Sequence, residues 1–307
     1  MKEWTPPSSP AGWFKRFGSS AALDGLDLEV PVGGTFGFVG PNGAGKTTTI
    51  RVLLDLIRPT SGTVAVLGLD PRRDGVAVRS RIGYLPGVLD LPPRLSGRDF
   101  LADQAALRGR RLDAEVAVLA ERLDADLDRP MGELSLGNRR KIGMIAAFAP
   151  RPELLVLDEP TGGLDPLVQQ TFRALTREVV DDGRTVFLSS HVLDEVQHVA
   201  DSVAVLRAGR LVTQGRIDTL IAQLVRTFRV CFDDPAAPPP EPARLAGVPG
   251  VTAIRSHGDR PELEIDVEGA AGPLLAVLAP LQPTDLHCSE ADLEDLFLGY
   301  YGEPGRS

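Results

Sequence analysis

The eight residues GPNGAGKT, Gly40 to Thr47, narrow the choice of fold more than any other part of the chain. They follow a run with strand character, FGFV, and open a run with helical spacing, KTTTIRVLLDLI, which Pro59 stops. Strand, glycine-rich loop and helix in that order is the context in which this pattern cradles phosphate. Gly40, Gly43 and Gly45, with Pro41, Asn42 and Ala44 between them, let backbone N–H groups turn inward toward phosphate oxygens. The N-terminus of the following helix adds its dipole. Lys46 is expected along the β- and γ-phosphates, the Thr47 hydroxyl on Mg²⁺, and Thr48 beside it in the same turn. A chance glycine-rich turn would not carry the whole pattern between a strand and a helix.

A second run supplies the acidic partner. In LLVLDE, Leu154 to Glu159, four apolar residues read as a buried strand that delivers Asp158 to the carboxyl edge of a sheet. There Asp158 would hold magnesium directly or through water, and Glu159 would orient or deprotonate an attacking water. Two solvated surface carboxylates are the plain alternative, which the upstream phosphate loop and the following PTGGLDP turn disfavour.

Periodicity organises the rest. LDGLDLEV alternates like a half-buried strand, PVGG is a turn, and TFGFVG, TVAVLG and RIGYLP read as further strands. From about residue 89 to 149 the texture becomes helical, in DFLADQAALRG, LDAEVAVLAERLDAD and RRKIGMIAAFA. Strand character returns in LLVLDEP and TVFLSS, with a helix through VQQTFRALTREVV between them. A short helix, VLDEVQHVA, and the strand pair SVAVLRAG and RLVTQG follow. Alternating β and α segments imply an α/β domain with a parallel sheet, interrupted by a helical insertion. We place this domain at residues 14–220, after a flexible tail of residues 1–13. Residues 221–307 read as a smaller α+β domain, whose order of strands and helices permits a ferredoxin-like arrangement.

With LSLGNRRK, Leu134 to Lys141, in view, the chain resembles the nucleotide-binding subunits of ABC transporters over nearly all of residues 14–225. LSLG alone would be a weak helix cap, but between a phosphate loop and LDEPTGGLDP it is specific. The resemblance implies a P-loop NTPase fold of the ABC ATPase type and hydrolysis of ATP with Mg²⁺. It places Ser135 and Gly137 in the signature that contacts the γ-phosphate held by an opposite subunit, and Asp165 in the loop coupling two sites across a homodimer. It makes His191 the switch histidine at the γ-phosphate, beside Lys46 and Glu159 as the catalytic set. It makes Phe17 the aromatic that stacks on adenine, although Phe14 is close by and a packed core aromatic is an alternative. One station departs from the pattern. Where the family carries a glutamine that senses magnesium and the attacking water, YLPG places Gly87, so that role falls to backbone, water or another residue. YLPG and the terminal DLEDLFLGYYG, with Leu293, Leu296 and Phe297 at helical spacing, resemble the ABC-2 exporter branch, which includes antibiotic-resistance exporters.

Composition sets the outer limits. The hydrophobic fraction of 43% and charged fraction of 24% are those of an ordinary folded protein. A net charge of -9 argues against direct nucleic-acid binding, which draws its affinity from cationic side chains. Cys231 and Cys288 stand far apart without metal-ligand spacing and read as reduced thiols. No segment has the roughly 18 apolar residues needed to span a bilayer. The implied partner is therefore a separate multi-span permease, with this chain at the cytoplasmic face of the membrane and residues about 89–149 as its coupling surface. Drugs, antibiotics, lipids and glycans are the cargo classes of such exporters. The competing reading is a soluble ATP-driven switch acting on ribosome or DNA complexes, whose representatives carry two ATPase heads or a long coiled coil. This chain has one phosphate loop and no sustained heptads.

Overall fold

The computed structural model describes residues 12–222, 224–232, 245–256, 262–289, 292–294 and 296–297. The chain forms two compact units, Met1–Gly215 and Arg216–Ser307.

The first unit is built on a six-stranded sheet. Its strands are β3 (Thr35–Val39), β4 (Ile82–Leu85), β5 (Leu154–Asp158), β6 (Thr185–Ser190), β7 (Ser202–Arg207) and β8 (Arg210–Arg216), in the order β4-β5-β6-β3-β7-β8. From β4 through β7 every neighbouring pair is parallel. All residues of β3, β5 and β6 are buried, which is why they read as continuous apolar runs and not as alternating ones. Phe36 and Phe187 stack at 5.8 Å between ring centroids, and Phe38 leans on Phe187 at 5.4 Å. Each such buried side chain contributes about 1.5–3 kcal/mol of burial free energy.

A two-stranded antiparallel ribbon, β1 (Trp13–Phe17) and β2 (Ser20–Leu26), belongs to the same unit. Here the structure corrects the sequence reading. Trp13, assigned to a tail, is the first residue of β1, only 6% exposed, and packed in the main core with Leu23 and Leu26. An indole buries too much apolar area to be left in water once a partner strand pairs with it. The remainder of the expected tail, residues 1–11, lies outside the described residues. The strand expected over LDGLDLEV stops at Leu26, because its partner β1 ends there: Trp13 opposite Leu26 is the last pair of the ladder. TVAVLG is not a strand. Val66 and Leu69 exchange backbone hydrogen bonds of 2.8 and 3.0 Å in a local bridge, and among the described residues no neighbouring strand takes up the rest.

The helices divide into two sets. α1 (Lys46–Leu53), α2 (Gly75–Ser80), α6 (Pro166–Asp181) and α7 (Leu193–Gln197) connect sheet strands, while α3 (Gly97–Leu107), α4 (Asp113–Leu123) and α5 (Leu136–Phe148) form the helical insertion. α6 turns Val168, Phe172, Leu175 and Val179 inward, a stripe at helical spacing. Its start is set by Asp165, whose carboxylate accepts from the Val168 N–H at 3.0 Å, and by Pro166 in the first turn. Ser135 caps α5 likewise, accepting from the Asn138 N–H at 3.2 Å.

In the second unit, α8 (Ile217–Ala222) leads into a four-stranded antiparallel sheet. Its strands are β9 (Val225–Cys231), β10 (Val251–Ser256), β11 (Glu262–Glu268) and β12 (Asp285–Ser289), ordered β10-β11-β9-β12. Phe228, Val230, Leu263, Ile265 and Val267 form one apolar face, joined in a core by Leu274 and Leu278 of the helix Gly272–Leu278. The other face carries a charged lattice in which Arg229 meets Glu262 and Glu264, and Arg255 meets Glu264 and Asp266. Leu293 and Leu296 of the terminal stripe are buried. The Pro-rich stretch DDPAAPPPEP, residues 233–242, and residues 298–307 fall outside the described residues. No helix among the described residues is long and apolar enough to cross a membrane.

Candidate nucleotide site

Three adjacent strands, β5, β6 and β3, end at the same edge of the parallel sheet, and each delivers one part of the site. β3 runs into the glycine loop. Gly45 caps α1 with φ of 112°, a conformation closed to other residues, and a side chain there would come within 2.7 Å of the Ala22 carbonyl. The loop is closed by the Ala44 N–H donating to the Pro41 carbonyl at 3.1 Å, and Asn42 and Gly43 form its exposed crest. β5 ends on Asp158, level with Ser189 of β6, and Val39 of β3 lies level with Ser190.

Around these strand ends the side chains converge. Lys46 is buried, its ammonium donating to the Gly40 carbonyl at 2.7 Å and lying 3.4 Å from Oε1 of Glu159. The other Glu159 oxygen meets Nδ1 of His191 at 2.7 Å. Glu159 thus bridges a lysine and a histidine from two different strand ends. Its own backbone is left-handed, with φ of 50°, which is uncommon for a residue with a side chain. Its N–H is anchored on the Ser189 carbonyl at 3.0 Å.

Asp158 is 1% exposed and accepts from the Thr47 hydroxyl at 2.9 Å and from the Ser189 hydroxyl. No salt bridge to Asp158 occurs among the described residues. A buried carboxylate with only hydroxyl partners favours a cation in its place beside Thr47. The same charge, after burial itself, pushes the Tyr84 hydroxyl up to about 12. A hydroxyl and a carboxylate, both hard oxygen donors and few in number, suit Mg²⁺, which keeps waters and phosphate oxygens in its shell.

The other expected site residues do not join this cluster. Ser135, Gly137 and Asp165 line a separate open cleft with Asn138, Lys141 and Gly163. Thr48 is in the first turn of α1, next to Thr47. Phe17 lies on β1, half exposed, with the Lys15 ammonium 4.9 Å from its ring centre, while Phe14 is less exposed.

Several contributors escaped the sequence reading. Ser189 and Ser190 were legible only as polar residues closing an apolar strand, yet one serves Asp158 and the other caps the Val192 N–H at 3.0 Å. Glu195 accepts from Thr161 at 2.5 Å and from Ser190 at 3.3 Å, tying the loop after Glu159 to the flank of His191. Asn138 clasps the backbone of Asp126 through both ends of its amide, at 2.9 and 2.8 Å. Arg140, to which the sequence reading gave no role, is buried and donates to the carbonyls of Glu159 and Gly87.

Comparison with known proteins agrees with this geometry. A family model described as ABC transporter matches residues 23–162. The chain is 42% identical over 214 residues to the daunorubicin resistance ATP-binding protein DrrA3 of Streptomyces coeruleorubidus, covering 68% of each chain. It is 33% identical over 305 residues to the daunorubicin/doxorubicin resistance ATP-binding protein DrrA of Streptomyces peucetius, covering 96% of this chain and 92% of the relative. A solved ATP-binding subunit of an ABC transporter superposes with a TM-score of 0.64 at 27% identity, over 69% of this chain and 90% of that one. Phosphate loop, acidic strand end and signature helix, on a fold shared with these relatives, lead to one conclusion: the chain belongs to the ATP-binding subunits of ABC transporters and is an ATP-binding, ATP-hydrolysing protein.

Proposed function

We propose that this ATPase energises a separate multi-span permease in an exporter, at the cytoplasmic face of the membrane. The cargo would be a drug, antibiotic, lipid or glycan. Support for export comes from the two Streptomyces relatives, whose names record drug resistance. The observation that carries the mechanism is Glu159 held between Lys46 and His191, beside a buried Asp158.

In this reading the loop N–H groups of Gly40 to Gly45 and the Lys46 ammonium hold the β- and γ-phosphates of ATP, and Phe17 stacks on the adenine. Thr47 and Asp158 would hold Mg²⁺, which supplies positive charge to the phosphate oxygens. His191 hydrogen-bonds the γ-phosphate. Glu159 orients the attacking water and takes its proton. Stabilising spread charge and positioning water are the main tasks in phosphoryl transfer, and these residue types suit them. Lys46 and His191 both engage the Glu159 carboxylate. A triphosphate competes for those two side chains and leaves the carboxylate to the water.

Ser135, Gly137 and Asp165 line a cleft apart from this cluster, which suits a head-to-tail dimer in which each copy's signature helix completes the other's site. Leu136 and Leu167, beside that cleft, are 56% and 76% exposed, an apolar surface ready to be covered. Ser135→Ala, placed in a Glu159→Gln background, is expected to prevent the ATP-dependent dimer in light scattering while fluorescent-nucleotide binding by the monomer changes less than about twofold. An ATP-dependent dimer of undiminished stability would remove Ser135 from the interface.

The partner is tested by pulling down the Glu159→Gln protein with ATP from detergent-solubilised membranes of its source. A stoichiometric multi-span protein is the expected result. Recovery of ribosomes, DNA or soluble proteins without an integral membrane protein would replace export with a soluble ATP-driven switch.

A further inference from the structure

We infer that Arg140 is a positioning residue for hydrolysis, holding the Glu159 backbone in the conformation that presents its carboxylate, and that it links that carboxylate to the signature helix. Arg140 lies on α5, five residues beyond Ser135, and is only 5% exposed. Its guanidinium ends on two carbonyls from different segments: Nη1 donates to Glu159 at 2.6 Å and Nη2 to Gly87 at 2.9 Å. No side chain takes its charge in a salt bridge among the described residues, and its buried Nε has no hydrogen-bond partner. Burial pulls the Arg140 guanidinium below its ordinary range even against the opposing charges of Glu159 and Asp158, so its place is costly and calls for a specific reason.

The backbone of Glu159 supplies the reason. With φ of 50° it is left-handed, a state that side-chain-bearing residues leave unless the surroundings hold them there. Both polar atoms of this residue's backbone are held: the N–H by Ser189 of β6 and the carbonyl by Arg140. Without the second contact the peptide can relax toward negative φ, into the extended region that a residue preceding a proline, here Pro160, favours. The side chain would then swing away from His191 and Lys46, which it meets at 2.7 and 3.4 Å.

Gly87 completes the arrangement. A side chain there would begin 3.2 Å from Oδ2 of Asp158, so the segment approaches the acidic pair as bare backbone. Its carbonyl is captured by the same guanidinium that holds Glu159. Position 87 has no side chain to report on the site, and Arg140 makes the connection from the helix side. Movement of α5 is thereby transmitted to the catalytic carboxylate and to the loop at Gly87 together.

The inference rests on Glu159 acting on the attacking water. The test measures ATP turnover and nucleotide affinity of the full-length chain carrying Arg140→Met, Arg140→Gln or Arg140→Lys, alone and combined with Glu159→Gln. Arg140→Met is expected to lower kcat about 10- to 50-fold with KM for ATP changed less than about threefold, the split of a residue acting only on the chemical step. Arg140→Lys, which keeps a charged donor for one carbonyl, is expected to recover part of that loss. In the Glu159→Gln background, slow single-turnover hydrolysis should fall no further when Arg140 is replaced, because the carboxylate it positions is already gone. Should Arg140→Met not fold, Arg140→Gln carries the test with the same split. Wild-type kcat in the folded variant, a KM that rises as kcat falls, or losses that multiply in the double variant would each overturn the inference. Wild-type turnover in Glu159→Gln alone would instead remove the role proposed for Glu159.

Discussion

Glu159→Gln is expected to bind ATP at least as tightly as the native chain and to lose turnover by about 10²-fold or more, the range of a positioned general base. That loss corresponds to about 3 kcal/mol in the barrier. Glutamine keeps the length and planarity of the side chain, so the shape of the site survives while its basicity and charge do not. Loss of charge has two consequences, and both favour the nucleotide. Lys46 gives up the partner it has at 3.4 Å and His191 the partner it has at 2.7 Å, so both are freer to meet a triphosphate. The negative charge that would face the γ-phosphate is gone as well. Affinity therefore holds or rises while hydrolysis fails. Phosphate release under multiple turnover and a fluorescent-nucleotide titration of the same preparation read the two quantities separately. Native turnover in this variant would leave Glu159 without a catalytic role.

Lys46→Ala removes a cation that is 6% exposed and whose described contacts are the carbonyls of Gly40 and Pro41 and the carboxylate of Glu159. When a triphosphate enters, the ammonium has charged oxygens to turn to, and charge-assisted hydrogen bonds of this kind are worth about 1.5–3 kcal/mol. The expected loss in ATP affinity is about 10- to 100-fold. Turnover should fall further, by about 10³-fold, because charge that develops on the phosphate oxygens loses its nearest fixed cation. ADP, lacking the γ-phosphate, should lose less affinity than ATP. Titrations with both nucleotides, beside steady-state hydrolysis, check the prediction; equal affinities in native and variant chains would exclude Lys46 from the phosphates. The two variants are thus expected to differ in kind, one sparing binding and the other weakening it.

The parts legible from residue order alone are those whose information is local. GPNGAGKT carries its strand, its turn and its helix start within one short stretch, and the structure places them as expected, β3 leading into α1. LLVLD could be read as a buried strand because both faces of a parallel sheet are covered, and all five of its residues are indeed buried. The helical insertion was legible from its 3.6-residue spacing, as α3, α4 and α5. The family resemblance then supplied the grouping of Lys46, Glu159 and His191, which no spacing could give across more than a hundred residues.

Contacts between distant segments were beyond that reading. Trp13 looked like tail because the Pro- and Ser-rich stretch before it has no period. Only pairing with β2 and packing on Leu23 and Leu26 make it core. TVAVLG looked like a strand because its composition favours one, but a strand needs a neighbour for its backbone groups, and none of the described strands pairs with it. Arg140 drew no reading of its own, because charge in a sequence says nothing of what covers it; its partners lie 19 and 53 residues away. Local order therefore established the phosphate loop, the strand that bears the acidic pair and the class of fold, since the forces that shape them act between near neighbours. Tertiary packing alone decided the left-handed backbone of Glu159, the hydroxyl pair on Asp158 and the buried guanidinium that joins Gly87 to the acidic strand end. Each of these depends on desolvation and hydrogen bonding between segments that meet only when the sheet has closed.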